Sequence, residues 1–343
     1  LVQMQIEVAE GRPLSVAQED IQGNGYAIEC RLYAEDAAND FMPATGTILL
    51  WSTPEITGKA GELAGSVDGL RIETGVESGS VISTHYDPMI AKLITHGKDR
   101  AEAQRKMSAA LANLNCLGLT TNQDFLKAIL ANADFQAGKY DTHFLQKQFS
   151  YEKSQSNEAV EMAAIAASAF DKAERDNKRT ILQNVPSGWR NNFYQRQQET
   201  FLNGEEEVLV KYNSNQYSIG DPSTGSGQGT EFEVQVAEVS DDEILLELNG
   251  IQERFTVVKS GNEYFVQHAQ NGTVNLTRKE RFPLKEAEKV KGGYVSPMPG
   301  KVIKVLVEPG QEVKSGDGLL VLLSMKMENT ICADEDGTVE EIY

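Results

Sequence analysis

Long apolar runs are missing from this 343-residue sequence. Its most apolar stretches, Gly318 to Leu323 and Met162 to Phe170, fall far short of the roughly 20 apolar residues that a membrane-spanning helix needs. Cysteine is scarce: Cys30, Cys116 and Cys332 stand far apart, odd in number and outside any CxxC or Cys/His grouping. That spacing fits neither a disulfide framework nor a zinc site, so buried free thiols in a reducing compartment are expected. Positive charge is also short. With 32 basic against 51 acidic side chains the formal net charge is -19, which repels polyanions and argues against nucleic acid as the main partner. The first residue is Leu1 rather than methionine, so nothing can be read about a targeting peptide.

What is present matches a soluble globular composition, 40% hydrophobic and 24% charged, and the length suits two or three domains rather than one core. The first region, residues 1–148, mixes strands and helices. Tyr26 to Tyr33 alternates like a half-buried strand, and Val81 to Leu93 holds short apolar segments broken by Asp87 and Pro88. A helix is predicted from Asp99, its capping residue, with Met107, Leu111 and Leu114 on one face. A second is predicted from Thr121, capped by that hydroxyl with Asp124 three residues on, running through Phe125, Leu126, Ile129 and Leu130.

The second region, 149–284, begins with an alanine-rich helix over Asn157 to Asp176 that presents a small-residue face. Short β-type runs follow: Glu207 to Tyr212, Phe232 to Val239, Glu243 to Leu248, Arg254 to Val258, Glu263 to His268 and Thr273 to Thr277. The pairs Asn249-Gly250, Gly261-Asn262 and Asn271-Gly272 supply the positive φ of tight hairpins, so an antiparallel meander or barrel is expected. Gly220 to Thr230 reads as a loop. A charged linker, 285–292, leads to an all-β segment, 293–343, in which Lys301 to Val307 alternates as a strand and Gly300-Lys-Val-Ile-Lys-Val-Leu306 is weakly repeated as Gly337-Thr-Val-Glu-Glu-Ile-Tyr343.

Ser324-Met-Lys-Met-Glu328 falls between two β-type runs, Leu319 to Leu323 and Thr330 to Ala333, which puts Lys326 at the tip of a tight connection. An exposed lysine is in most cases only a solvated surface residue. Its neighbours decide otherwise here. Met325-Lys326-Met327, preceded by Pro297-Met-Pro-Gly300, resembles the biotinyl carrier domains, whereas the related lipoyl domains usually present Asp-Lys-Ala. Ser324 stands where alanine is commoner in the family. The resemblance implies covalent biotin on Lys326, whose amine, with an ordinary pKa of about 10.4, becomes a nucleophile only when a biotin protein ligase removes its proton.

The first region resembles the C-terminal part of a biotin carboxylase, through Tyr26-Ala-Ile-Glu-Cys-Arg-Leu-Tyr-Ala-Glu-Asp36, Tyr86-Asp-Pro-Met-Ile-Ala-Lys-Leu93, Thr121-Asn122, Phe135, Gly138, Asp141-Thr142 and Phe144. The family's upstream ATP-grasp core is not in this sequence. Gly69-Leu-Arg-Ile-Glu73 resembles the segment whose arginine contacts the ureido oxygen of biotin, which makes Arg71 the candidate catalytic residue; by itself it would pass for a solvated strand residue. A fixed guanidinium suits that task because negative charge develops on the ureido oxygen as its nitrogen becomes nucleophilic. His85 and Asp87 suggest an acid/base pair, but their family counterparts are mainly structural. Gly225-Ser-Gly-Gln-Gly229 lacks the lysine and the helix of a phosphate loop, and the triplets Asn271-Gly-Thr273 and Asn275-Leu-Thr277 are chance glycosylation spacings.

The middle region resembles the domain that links carboxylase and carrier in propionyl-CoA and 3-methylcrotonyl-CoA carboxylase α subunits, in part through Val185-Pro-Ser-Gly-Trp-Arg190. Trp189 is as well explained by a core as by an interface. Together these likenesses imply a multidomain α+β chain: a biotin carboxylase C-terminal domain, a helix-plus-β-barrel linking domain that touches a carboxyltransferase β subunit, and a biotinyl/lipoyl-like carrier domain. They imply a ligase component that uses bicarbonate, ATP and Mg²⁺ or Mn²⁺, serves an acyl-CoA in a hetero-oligomer, and works in the cytoplasm or the mitochondrial matrix. No metal ligands, membrane contact or nucleic-acid partner are expected in the chain itself. Acetyl-CoA and urea carboxylases remain rivals, as does a lipoyl-type carrier; pyruvate carboxylase does not, since the segment between Gln148 and Lys285 is too short for its carboxyltransferase barrel. Because the second copy of the carrier repeat stops at Tyr343, the natural chain is expected to run at least one turn and strand further.

Overall fold

The computed structural model describes residues 1–54, 69–152, 155–181, 185, 196–220, 230–280, 296, 300–324 and 327–342. In the first region, β1 (Tyr26–Tyr33), β2 (Leu70–Thr74) and β3 (Met89–Gly97) form an antiparallel sheet with β3 in the centre. One face carries Cys30, Leu32, Ile72, Ala91 and Leu93, which pack with Met107, Leu111 and Leu114 into one core. The strand break predicted at Asp87 and Pro88 separates a two-residue strand, Val81–Ile82, from β3.

Helix α1 (Arg100–Ala112) starts as predicted: the Asp99 carboxylate accepts from the Glu102 amide at 2.8 Å. Leu114, expected on its face, instead lies two residues past the helix end and is fully buried there. Helix α2 (Gln123–Ala131) starts one residue later than expected, with Asn122 as its N-cap, while the Thr121 hydroxyl accepts from the Gln123 amide at 3.4 Å. The Asn122 side chain is engaged elsewhere. Its Oδ1 accepts from the Tyr33 amide at 2.9 Å and its Nδ2 donates to the Arg31 carbonyl at 3.2 Å, so it continues the ladder at the edge of β1.

The second region is a closed eight-stranded antiparallel barrel wrapped round helix α3 (Asn157–Lys178). Its strands run in sequence order: β4 (Gln197–Asn203), β5 (Glu206–Asn213), β6 (Gln216–Gly220), β7 (Thr230–Val239), β8 (Glu243–Leu248), β9 (Ile251–Ser260), β10 (Glu263–His268) and β11 (Gly272–Arg278). Pairing of Phe201 with Arg278 and of Leu202 with Thr277 closes the ring. Asn249 (φ 50°) and Gly250 (φ 85°) make the β8–β9 turn that their sequence announced. Strands β4 and β6 were not foreseen: Gln197-Gln-Glu-Thr and Gln216-Tyr-Ser are polar or short, and their pairing is supplied by β5, β7 and β11.

The expected small-residue face of α3 becomes a complete circumference. Every residue from Ala163 to Asp171 is buried, because strands surround the helix, and alanine lets them approach on all sides. Its Ser156 cap forms as the residue type implies, accepting from the Ala159 amide at 3.1 Å.

In the third region β12 (Lys301–Val305), β14 (Gly318–Ser324) and β15 (Met327–Cys332) form one sheet, and β13 (Glu312–Val313) pairs with β16 (Gly337–Thr338). The alternation predicted for Lys301 to Val307 does not produce a half-buried strand. All of β12 is exposed, with a register shift between Val302 and Lys304. The expected loop at 221–229, the linker at 285–291, Pro297 to Pro299 and Trp189 lie outside the described residues.

Candidate functional site

Arg71 is the second residue of β2, and its position is set by glycine chemistry just before it. Gly69 has φ +81°, and a Cβ there would lie 2.1 Å from the His96 carbonyl oxygen. Only glycine lets β2 approach β3 at that point, where the His96 amide donates to the Gly69 carbonyl at 2.5 Å. Register then decides orientation. Arg71 stands opposite Ile94, which stands opposite Glu29; Glu73 stands opposite Lys92, which stands opposite Arg31. Side chains in register share a face, and the neighbouring residues of these strands form the core. The arginine therefore points away from the core, on a sheet face that carries charge of both signs.

The Arg71 guanidinium lies 3.2 Å from the Glu73 carboxylate, with side-chain exposures of 55% and 49%. Such a pair adds little stability in water. Residues i and i+2 share a strand face, so the carboxylate and the cation lie side by side on the open sheet. Glu73 was not singled out from sequence, although that spacing was there to be read.

The second candidate position is the end of the β14–β15 ladder. The β14–β15 ladder closes at the pair Ser324 and Met327, which leaves residues 325 and 326 as the two that join the strands. Met325 and Lys326 themselves lie outside the described residues, and Met327 is described only as the first residue of β15. The ladder supplies a frame for the join although no Gly or Asn marks it. A small core of Val313, Leu319 and Ala333 supports that sheet.

The remaining candidates are structural. Asp87 Oδ1 accepts from the Met89 amide at 3.0 Å, and the His85 amide donates to Ser83 Oγ at 3.4 Å, which are turn bonds rather than an acid/base pair. Burial, assisted by the Asp87 charge, raises the pKa of Glu35. Burial pushes the thiols of Cys30 and Cys116 up to about 12, which makes them poor nucleophiles. Cys332 departs from expectation: it is exposed, because it ends a two-sided strand at the edge of a small sheet. Among the described residues no three His, Cys, Asp or Glu side chains are grouped to hold a metal.

Comparison with known proteins adds three family matches in chain order. Residues 29–147 match the biotin carboxylase C-terminal domain, residues 157–281 the BT domain of the methylcrotonyl-CoA carboxylase alpha subunit, and residues 294–343 the biotin-requiring enzyme domain. The mitochondrial methylcrotonoyl-CoA carboxylase subunit alpha of Rattus norvegicus is 30% identical over 362 residues, which takes in 100% of this chain and 48% of the relative. The mitochondrial propionyl-CoA carboxylase alpha chain of Homo sapiens is 30% identical over 375 residues, covering 100% and 47%. The chain thus spans about half the length of the curated relatives it matches. Among solved structures, the biotin carboxylase subunit of pyruvate carboxylase is 39% identical, with a TM-score of 0.38, over 43% of this chain and 31% of that one.

Proposed function

We infer the role of a chain that belongs with the biotin-carrying α subunits of acyl-CoA carboxylases: it is the subunit that carries biotin on Lys326 and presents it for carboxylation and transfer. The observation that carries this reading is the order of the three matched domains along one chain that aligns over its full length with such α subunits. We take the domains to be 1–148, 149–284 and 293–343, with 285–292 as the tether.

Lys326 would hold biotin through an amide; the described strand ladder ends at the pair Ser324 and Met327, on either side of it in sequence. Bound biotin supplies a ureido nitrogen able to carry a carboxyl group. The part of this chain in that chemistry is Arg71, whose charge stands on the open sheet face beside Glu73 and is suited to stabilise negative charge on the ureido oxygen. ATP, bicarbonate and the divalent metal belong to the carboxylation step of the assembled enzyme. A biotin protein ligase modifies the lysine, and a carboxyltransferase subunit, met through the barrel, passes the carboxyl group to an acyl-CoA. Cytoplasm or mitochondrial matrix is the expected setting.

The test is mass spectrometry of the peptide containing Lys326 after co-expression with a biotin ligase. Biotin on Lys326 supports the reading. An unmodified or lipoylated lysine turns it towards a lipoyl-type carrier.

A further inference from the structure

The outer wall of the barrel is polar and open to solvent along most strands, but not at Thr256 of β9 or at Phe265 and Gln267 of β10. Tyr264 and Val266 point into the barrel core, so Phe265 and Gln267 between them must point outward. Yet Phe265 is only 8% exposed and Gln267 only 4%. On the neighbouring strand Thr256, opposite Gln267, is likewise buried at 7%. An outward patch is buried only when something covers it, and at Gln267 the cover is the first domain.

The contact is specific. Gln267 Nε2 donates to the Leu114 carbonyl at 2.7 Å, and Gln267 Oε1 accepts from the Thr273 hydroxyl at 3.2 Å. The same Leu114 carbonyl accepts from Gln123 Nε2 at 2.8 Å, so its two lone pairs are shared between one donor from its own domain and one from the barrel. At the β10–β11 turn the fit is tighter. Gly272 has φ +75°, and a Cβ there would lie 2.6 Å from Asp124 Oδ1 at the start of α2. The connecting segment is pinned at both ends: Tyr151 packs edge-on against Phe125, with centroids 5.2 Å apart, and Gln155 Nε2 donates to the Thr273 carbonyl at 2.8 Å. Beside it lies a cleft of about 320 Å³ between α2 and the turn.

We propose that the outer face of β9, β10 and the β10–β11 turn is a docking surface for the first domain of the same chain, so that barrel and carboxylase-like domain move as one body. The partner is in cis because the connection between Tyr151 and Gln155 is too short to release one while holding the other. One consequence concerns reach. The tether to the carrier domain leaves from the end of β11, and docking gives that origin a fixed position relative to the sheet that bears Arg71.

Hydroxyl-radical footprinting of the whole chain tests the dock without reference to activity. Gly272→Ala drives a methyl group into Asp124, and Gln267→Met removes the amide bond while leaving the turn intact. Both variants should raise labelling of Phe265 severalfold, while Phe255, inside the barrel, stays as protected as in the parent. Adding Asp124→Ala to Gly272→Ala makes room for the methyl group but leaves the strain of its positive φ, so it should recover part of the protection of Phe265, an interaction that two sites in contact show and distant ones do not. Unchanged Phe265 labelling in Gln267→Met would overturn the proposal. So would equal gains at Phe255, or protection that varies with protein concentration and so marks a contact between chains.

Discussion

The hydroxyl of Tyr264 donates to Oδ2 of Asp171 at 2.5 Å, joining β10 to the helix it encloses. The same carboxylate meets Lys259 and Arg278, each at 2.7 Å, and is 4% exposed. One acid on α3 therefore gathers donors from β9, β10 and β11, and with Ser168, which bonds Glu199 at 2.7 Å, it gives the alanine-rich helix polar contacts to the barrel that its alanines cannot make. Asp171→Asn takes the counter-charge from Arg278 and leaves Lys259 with Glu174 alone, and because the two cations are 35% and 31% exposed the loss should be about 1–3 kcal/mol. Urea unfolding should show that loss. Tyr264→Phe, which removes one neutral donor, should cost about 1–3 kcal/mol.

Alkaline conditions should loosen the same barrel. Burial, with help from Glu199, pushes the phenol of Tyr212 up to about 12, and burial also raises Tyr217 and Tyr264. Raised values mean that the native state holds these protons more tightly than the unfolded chain, where tyrosine titrates near pH 10. Their contribution is complete below about pH 10 and is lost as pH climbs through the raised values. Melting temperature measured from pH 8 to 12 should fall above about pH 10, and Tyr217→Phe should flatten the decline.

Lys326→Arg keeps the positive charge and approximate length of the side chain but offers no amine that a biotin ligase acylates. Streptavidin blotting after co-expression with the ligase should lose the signal entirely. A persisting signal would move the attachment site to another lysine.

Arg71→Ala in the assembled enzyme should reduce biotin carboxylation about 100-fold or more, the usual cost of removing one preorganised charge from a developing anion. Binding of ATP and the melting temperature should change little, since the side chain is 55% exposed and its ion pair with Glu73 is on the surface. Arg71→Lys should recover only part of the rate, because an ammonium cannot reproduce the planar donor pair.

Local chemistry made much of this architecture readable in advance. Strand β1 alternates from Ile28 onward, Asp99 caps α1, and Asn249-Gly250 turns between β8 and β9; each depends on neighbours a few residues away. Strands β4 and β6 escaped notice for the opposite reason. Gln197-Gln-Glu-Thr has no apolar alternation, and it is a strand because β5 and β11 flank it.

By itself the sequence determined the hairpins, the caps, the lysine between two methionines and the arginine two residues before a glutamate, all patterns carried by adjacent residues. Only the tertiary structure decided how distant residues are used. Asn122, the N-cap residue of α2, spends its side-chain amide on Tyr33 and Arg31 rather than on the helix. The alanines of α3 are buried all round because a barrel closes about them. Gln267 faces outward yet is buried because the Leu114 carbonyl waits across the domain boundary. In each case the side chain's hydrogen-bonding and packing capacity is local, but the group that satisfies it lies far along the chain. Only folding brings the two together.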